Sequence, residues 1–536
     1  MSLRRTIVRN TTFNAAGRMW EAVCNIVLTA YIVPKVGLSG WGLWALVSVF
    51  TGYLALLDLG MASGFAKYVA EHAARKEEHR ITSVVSTGFF FYLVLGAALV
   101  AVCWPCIDGL INLLTRLSPD HARSLADRQF LDDVRFLLRW GLVLFAASNC
   151  IAAFTAVQTG LQRMGITNAL AFCASIIKVI ATVALLETGH GIRGLLYANA
   201  IVVAFFAVTG VLVAFALVPT LRVSPRRVTR DTVRMLFSFG WRAQVSRLSN
   251  LVTFQTDKII VGIAYRQFGL VGVYRIGEEL ASKMRQVPVL LLTAILPAAS
   301  DLDARGEQER LRRLYLVSSK YVAAVTLPLV AFCVGASGML IRTWMGPGVS
   351  NLGTAAWVAR ILALGYLANI LPGAGVTIAL GKGRPDVQMY AGIIAMVSNV
   401  TLTILLVFPL GLYGVALGTA LSMFLSCGWF VRAMSAVTGV RPAVLIRVAM
   451  RWPAVAALPG FLVCAAADWA SAGLVGRIPN AAVLVSCAGF FGVSYLVGIY
   501  CTPFLDAFDV DFLGDTLQLR SVPGFRTLTR RAARRV

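Results

Sequence analysis

The sequence predicts an all-α polytopic membrane protein with about 14 transmembrane helices. We expect two six-helix lobes related by a pseudo-two-fold axis along the membrane normal, followed by two extra C-terminal helices. Three observations predict this class. The chain is 58% hydrophobic and only 14% charged, with a mean hydropathy of +0.76. Apolar runs of helical length follow one another, and segments of the first half recur in the second. A soluble domain, in which about 25% of residues are charged, is excluded.

Each predicted span is long enough to cross the roughly 30 Å hydrocarbon core as a helix. The spans cover residues 13–33, 39–61, 82–105, 136–160, 168–188, 193–218, 235–263, 271–299, 314–340, 354–380, 387–408, 413–436, 453–475 and 480–503. The connections from even-numbered to odd-numbered spans carry most of the loop arginines and lysines. By the positive-inside rule this side, with both termini, is cytoplasmic. The net charge of +24 therefore indicates topology and attraction to anionic lipids rather than nucleic-acid binding.

The longest opposite connection, residues 108–135, carries charges of both signs and predicts a short periplasmic amphipathic segment. Its acidic pair, Asp132 and Asp133, has two interpretations. It resembles the metal-binding acids of a membrane glycosyltransferase, or it lies in a solvated charged turn. The second interpretation is favoured.

Two sequence matches indicate an internal repeat. GLSG at 37–40 recurs as GLVG at 269–272, and GIRGLLYANA at 191–200 resembles GLYGVALGTA at 411–420. We therefore predict an N-terminal lobe at residues 1–218, a C-terminal lobe at 219–440, two further spans at 441–503 and a basic cytoplasmic tail at 504–536. Parallel repeats of this kind are typical of transporters whose site lies between the lobes.

Charged and polar side chains inside the spans are candidates for that site, because a charge in mid-bilayer by default faces a cavity or a partner. Span 1 carries Asn14, Arg18, Glu21 and Asn25 on one helical face, and span 7 carries Gln244, Arg247, Asn250 and Asp257 on another. Lys178, Glu278 and Arg285 lie within spans 5 and 8. The predicted substrate-binding residues are Arg18, Glu21, Asn25, Lys178, Arg247, Asn250, Glu278 and Arg285.

A structural interpretation stays open for each of these residues. Arg18 lies near a span end and can extend to the membrane surface. Glu279 can neutralise Arg275 or Lys283, which lie four residues away on either side. As a set, however, the two arginine-bearing faces predict a cationic cavity that suits an anionic ligand, since guanidinium matches phosphate oxygens.

Several motifs resemble one known family. LLDLGMASGFAKYVAE at 56–71, TDKIIVG at 256–262, GVYRIGEEL at 272–280, ILPAAS at 295–300 and ALGKGRPDV at 379–387 resemble segments of Wzx-type polysaccharide and O-antigen flippases. These exporters form the polysaccharide transporter branch of the multidrug/oligosaccharidyl-lipid/polysaccharide flippase superfamily. The resemblance covers most of residues 10–440.

The resemblance implies a non-enzymatic transporter of the bacterial inner membrane that flips an undecaprenyl-diphosphate-linked oligosaccharide to the periplasmic leaflet. It implies no cofactor, only an ion gradient or the membrane potential, and it implies a polysaccharide polymerase and other assembly proteins as partners. Asp58 and Asp257, as motif matches, are candidates for gating or ion coupling. For Asp58, at the cytoplasmic end of span 2, a structural hinge or gate is favoured over an ion site. Residues 67–80 are expected to form an amphipathic cytoplasmic connector after it.

Three alternatives remain. A multidrug or cation antiporter of the same superfamily would have fewer spans and fewer cavity cations. A flippase for the peptidoglycan lipid precursor would also have fourteen spans. A membrane glycosyltransferase or polymerase would need catalytic residues on large outer loops, and only residues 108–135 are long enough. The chain has no GxxxxGK[ST] motif, so direct use of ATP is not expected.

Overall fold

The computed structural model describes residues 3–58, 60–116, 128–265, 267–292, 295–505 and 509. Within these ranges it leaves undescribed the side chains of residues 3–16, 18, 62–63, 110, 112–116, 128, 239–243, 245–246 and 290. The described backbone is helical and contains no strand. The chain divides into two compact units, Met1–Gly272 and Val273–Val536. This boundary coincides with neither predicted lobe limit, 218 or 440, and it does not test the predicted six-helix repeat, so the lobe limits stay predictions.

In the described residues of the first unit, seven α-helices precede the boundary. They are α1 (Leu3–Leu54), α2 (Met61–Ala74), α3 (Glu78–Arg116), α4 (Arg128–Gly160), α5 (Met164–Glu187), α6 (Gly191–Leu217) and α7 (Arg230–Tyr265). At 1.5 Å per residue, the 52 residues of α1 far exceed one crossing. The helix is broken at Gly37, whose φ of 72° lies in the left-handed region. It therefore supplies two spans.

The second unit continues from α8, which crosses the boundary. Its helices are α8 (Phe268–Lys283), α9 (Gln286–Leu292), α10 (Ile295–Ala304), α11 (Gln308–Met345), α12 (Leu352–Ile370), α13 (Gly373–Gly381), α14 (Pro385–Thr438), α15 (Pro442–Leu445), α16 (Arg451–Ala470) and α17 (Arg477–Cys501). Helix α14 is broken at Gly411, where φ is 63°, and supplies two spans like α1. A π-helical turn, Ile446–Met450, joins α15 to α16.

Ten helices or helix pairs of the described chain are long and apolar enough to cross a membrane. Two of them, Met19–Asp58 and Pro385–Thr438, contain the breaks at Gly37 and Gly411. The remaining predicted spans, 7 and 8, correspond to α7, which is too polar to be counted, and to α8–α10, each of which is too short to cross a membrane alone. Large apolar side chains such as Phe408, which is 82% exposed, cover the outer surface. The predicted class, a polytopic all-α membrane protein, is confirmed.

The core of the first unit forms around α2. Phe65 and Val69 of this helix are almost fully buried against α3, α4 and α7. The packing is close: a Cβ on Gly88 of α3 would lie 2.7 Å from Phe65, and one on Gly160 of α4 would lie 2.6 Å from Val69. Residues 67–74 are therefore helical, as expected, but the segment is anchored in the core and is more than a surface connector.

The turns between helices support the repeat. Gly191 and Gly411, the first residues of the matching ten-residue segments, both have positive φ, at 52° and 63°. Because side chains rarely adopt this conformation, its recurrence at equivalent points is informative. Gly191 and Gly411 thus share a positive φ, whereas Gly37, with a φ of 72°, matches Gly269, which is not among the positive-φ glycines of the described chain.

Candidate functional site

The polar face of α1 lies opposite its apolar face. Met19, Val23 and Val27 form an exposed apolar stripe, each four residues from the next. Glu21 is exposed and Asn25 is partly buried. Residues two apart on a helix are about 200° apart around its axis, so Glu21 and Asn25 point away from the apolar stripe. The stripe suits lipid, and the polar face suits the protein interior. The side chain of Arg18 lies outside the described residues.

Helix α5 packs beside this part of α1. The indole nitrogen of Trp20 donates to Ser175 Oγ at 2.7 Å. At the last residue of α5, Glu187 accepts from the Tyr31 hydroxyl and from Lys35 Nζ, the latter at 3.0 Å. Both partners lie just before the break in α1 at Gly37. Lys178 is partly buried and lies three residues after Ser175, so it is on the same side of α5 as Ser175. The structure thus brings Lys178 close to the helix that carries Glu21 and Asn25.

Asp58 lies in a 3₁₀ turn at the end of α1 and is buried. Its Oδ1 accepts from the backbone N–H of Gly60, whose φ of 77° turns the chain into α2. From α7, Arg247 Nη1 approaches the carboxylate at 3.3 Å from Oδ2 and 3.5 Å from Oδ1. The side-chain amide of Gln244, one turn earlier, donates to the carbonyl of Leu56. The junction between α1 and α2 is therefore held by the polar face of α7.

This geometry changes the grouping that the sequence predicts. Arg247 is a substrate-binding candidate and Asp58 a gating candidate, yet the two form one ion pair. The Arg247 side chain remains 42% exposed, and only its Nη1 engages the carboxylate. The other guanidinium nitrogen atoms can therefore still meet a ligand.

The C-terminal half of α7 carries two buried charges in succession. Asp257 is 3% exposed and Lys258 is fully buried. Lys258 Nζ donates to the carbonyl of Phe254 at 2.9 Å and to Gln255 Oε1 at 3.0 Å. Asn250, two turns before Asp257 on the same helix, is exposed. The sequence indicated Asp257 but not Lys258, although a lysine within an apolar span is itself a signal.

In the second unit, α8 carries the remaining candidates. Glu279 and Lys283 form the expected pair four residues apart, at 3.7 Å. Glu278 is partly buried. The Arg285 guanidinium lies 5.3 Å from the ring centroid of Tyr366 on α12, within cation–π range.

The densest polar cluster of this unit surrounds Asp468 on α16, which the sequence analysis missed. Its Oδ2 accepts from Arg360 Nη2 at 2.5 Å, and its Oδ1 accepts from Arg342 Nη2 at 3.0 Å. The backbone N–H groups of Gly338 and Met339 on α11 donate to the same carboxylate at 3.1 and 2.6 Å. One acid therefore ties α16 to α11 and α12.

Further contacts complete this cluster. Arg360 Nε donates to Ser337 Oγ at 2.7 Å. Arg342 also donates to Ser471 Oγ and to Asn480 Oδ1 on α17, both at 3.0 Å. Helices α16 and α17 are thus bound to α11 and α12 through these polar contacts.

None of these sites has the arrangement of a metal centre or of the glycosyltransferase alternative. In the part of the chain that the structure describes, no three His, Cys, Asp or Glu side chains group closely enough to bind a metal. Asp133 accepts from Arg193 Nε at 2.5 Å, and Asp132 accepts from Arg135 Nη1 at 3.3 Å. Both acids lie in the first turns of α4 and pair with arginines, so the expected solvated turn is wrong although the acids have structural partners.

Comparison with known proteins agrees with this architecture. A family model described as polysaccharide biosynthesis protein matches residues 7–303, and one described as the lipid II flippase MurJ matches residues 169–481. A Haloferax volcanii protein named as the flippase AglR is 21% identical, with 82% of this chain and 85% of the relative covered. A Shigella flexneri protein named as an O-antigen transporter is 20% identical, with 78% and 96% covered. The names describe transporters rather than enzymes.

Solved structures show the same fold. An inward-closed structure of the lipid II flippase MurJ aligns with a TM-score of 0.65 at 14% identity and covers 95% of this chain and all of that one. An inward-facing multidrug transporter of the MATE family aligns with a TM-score of 0.59 at 17% identity, covering 80% and 96%. The chain belongs to the polysaccharide biosynthesis protein family, in the polysaccharide transporter branch of the multidrug/oligosaccharidyl-lipid/polysaccharide flippase superfamily.

Proposed function

We propose that this protein flips an undecaprenyl-diphosphate-linked oligosaccharide from the cytoplasmic to the periplasmic leaflet of a bacterial inner membrane, for assembly of a surface polysaccharide. The observation that carries the proposal is the match of residues 7–303 to the polysaccharide biosynthesis family. The relatives named as a flippase and as an O-antigen transporter support a lipid-linked glycan as the substrate.

The charged side chains support an anionic substrate. Arg247 presents a partly exposed guanidinium, and Lys178 follows the side of α5 that packs against α1. Guanidinium binds phosphate oxygens through two parallel hydrogen bonds, so Arg247 is suited to a diphosphate. We propose that Arg18, Glu21, Asn25, Asn250, Glu278 and Arg285 complete a cationic cavity. The polyprenyl tail would stay in lipid during transport.

The mechanism that we propose is alternating access between the six-helix lobes predicted by the repeat. The excess of arginine and lysine in the loops on one side supports a cytoplasmic location for both termini. An ion gradient or the membrane potential would supply the energy, with Asp58 and Asp257 as candidates for coupling or gating. A polysaccharide polymerase and other assembly proteins would receive the flipped lipid.

Substitution of the arginines in cells tests this proposal. In a strain lacking the gene, complementation with Arg18→Gln or Arg247→Gln should give no surface polysaccharide, with protein level unchanged and the lipid-linked oligosaccharide accumulating. Arg305→Gln is the matched control, because Arg305 is exposed and paired with Asp301 at 3.0 Å. Normal polymer from both Arg18→Gln and Arg247→Gln would contradict the proposed substrate contacts, and normal polymer without the gene would contradict the function.

A flippase for the peptidoglycan lipid precursor is the second candidate. The MurJ family model over residues 169–481 favours it, because the match extends through span 13 to the start of span 14. Depletion of the protein separates the two functions. Loss of surface polysaccharide with normal growth indicates the first, whereas arrest of peptidoglycan synthesis and lysis indicate the second. A change in drug sensitivity alone would indicate an antiporter.

A further inference from the structure

The first unit contains an open cavity of about 760 Å³ that no step of the proposed transport uses. It lies where the connection between α2 and α3 meets the connection between α6 and α7. The side chains that matter for its chemistry are Arg80, Arg222, Ser224, Arg226, Arg227 and Asp231. Four arginines and one acid give the cavity a net positive charge.

The connector that carries three of these arginines is fixed to α3. Ser83 Oγ donates to the carbonyl of Arg227 at 2.9 Å, and the backbone N–H of Ser224 donates to Ser86 Oγ at 3.4 Å. Leu221 is buried in the core of the unit. Pro225 begins a one-turn 3₁₀ helix and fixes its backbone. The arginines are therefore presented by an ordered segment.

The charges of the cavity are unevenly neutralised. Arg80 lies 3.5 Å from Glu77, and His72 Nδ1 lies 2.9 Å from the same carboxyl. The hydrogen bond with His72 holds the pKa of Glu77 below its usual value, so Glu77 is ionised at neutral pH and balances Arg80. Among the described residues, the guanidinium groups of Arg222, Arg226 and Arg227 have no hydrogen-bond or ion-pair partner.

The depth of the cavity indicates the source of a ligand. Helix α3 begins at Glu78, α6 ends at Leu217 and α7 begins at Arg230, and all three limits lie beside the cavity. The apolar windows of α3 and α6 mark these points as ends of membrane spans. A ligand in the cavity would lie where lipid headgroups lie. Clustered arginines at this depth are suited to phosphate headgroups.

We propose that this cavity binds the phosphate headgroup of an anionic membrane lipid. The ligand need not be the transported substrate, so the proposal does not depend on the flippase function. Inorganic pyrophosphate shares the phosphate chemistry but lacks the acyl chains. It therefore serves to separate a lipid site from a site for a soluble phosphate.

Binding to the purified full-length chain in a neutral detergent tests the proposal. The probe is a short-chain phosphatidic acid, titrated by native mass spectrometry or thermophoresis, beside short-chain phosphatidylcholine and pyrophosphate. The cavity variant is R222Q/R226Q/R227Q. The matched control is R305Q/R310Q/R312Q, in which each lost arginine pairs with an acid within one helical turn, at 3.0, 2.6 and 3.9 Å.

We expect wild type and control to bind phosphatidic acid alike, the cavity variant to bind about tenfold more weakly, and phosphatidylcholine not to compete. Equal affinity of wild type and cavity variant would overturn the proposal. Pyrophosphate bound as tightly as phosphatidic acid would overturn the lipid assignment in favour of a soluble phosphate. Arg226→Gln alone, expected to weaken binding about threefold, provides the test if the triple variant has a lowered Tm.

Discussion

Asp58 and Asp468 are both buried carboxylates at membrane helices, and both bind arginine, but their surroundings differ. Asp468 accepts from Arg342, from Arg360 and from two backbone N–H groups of α11, and it is 4% exposed. Asp58 accepts from one backbone N–H and from Arg247, at distances of 3.3 Å or more for the arginine. The Arg247 side chain is 42% exposed, against 20% and 24% for Arg342 and Arg360.

This difference suggests that the ion pairs of Asp468 are permanent, whereas the ion pair of Asp58 with Arg247 can break and re-form. Removing ions from water is costly, and a buried pair repays that cost only when its remaining hydrogen-bonding capacity is satisfied. At Asp468 the carboxylate oxygens are satisfied by donors from two other helices, α11 and α12. At Asp58 the arginine is loosely held and reaches open space, so a ligand or a conformational change can separate the pair. We therefore expect Asp468 to control stability and Asp58 to control transport.

Asp468→Asn should have the largest effect on stability. It leaves two partly buried arginines without their shared counter-ion, and breaking a buried pair in this way costs about 3–5 kcal/mol. The Tm of the purified protein in detergent should fall, and the monodisperse fraction should shrink. Asp386→Asn is the control, because its pair with Arg384 is exposed to solvent, where ion pairs contribute little to stability. Equal Tm values for Asp468→Asn and Asp386→Asn would contradict the stabilising role that we assign to Asp468.

Gly338→Ala should have the next largest effect. A Cβ at this position would lie 2.5 Å from Asp468 Oδ1 and 2.9 Å from Arg342, so the carboxylate must move away from its donors. Overpacking of this kind typically costs about 1–3 kcal/mol. Gly353→Ala is the matched control, since a Cβ there meets no atom within 4 Å. Thermal unfolding measures both variants, and an unchanged Tm for Gly338→Ala would show that the cluster adapts freely.

Local pattern predicted much of this molecule. Hydropathy predicted the helices, and the spacing of Glu279 and Lys283 predicted their ion pair, because residues four apart are neighbours on any helix. The limits of the predicted spans left Gly191 and Gly411 between spans, and φ is positive at both. These features depend only on residues close in sequence or on repetition.

Long-range pairs could not be predicted. Asp58 and Arg247 are 189 residues apart, as are Lys320 and Asp509, whose side chains are buried together. Tertiary packing decides which of many cations meets an acid, and the sequence of one chain carries no signal for that choice. Asp468 is different: a lone acid in the span at 453–475 is a signal by the cost of charge in lipid, and it was overlooked.

Asp58→Asn should have the smallest effect on stability and a large effect on transport. The asparagine oxygen can still accept from Gly60, and the Arg247 side chain that loses its counter-ion is 42% exposed and can be hydrated, so the Tm should stay nearly constant. Surface polysaccharide should nevertheless be lost, because Arg247 can no longer alternate between an ion pair with Asp58 and contact with the substrate.

The double variant D58N/R247Q separates two roles of Arg247. If the arginine also contacts the substrate diphosphate, the double variant stays as inactive as Arg247→Gln alone. Recovery of wild-type polysaccharide by the double variant would mean that Arg247 only neutralises Asp58. The substrate contact would then have to come from other cations, such as Lys178, whose substitution by Gln would be the next measurement.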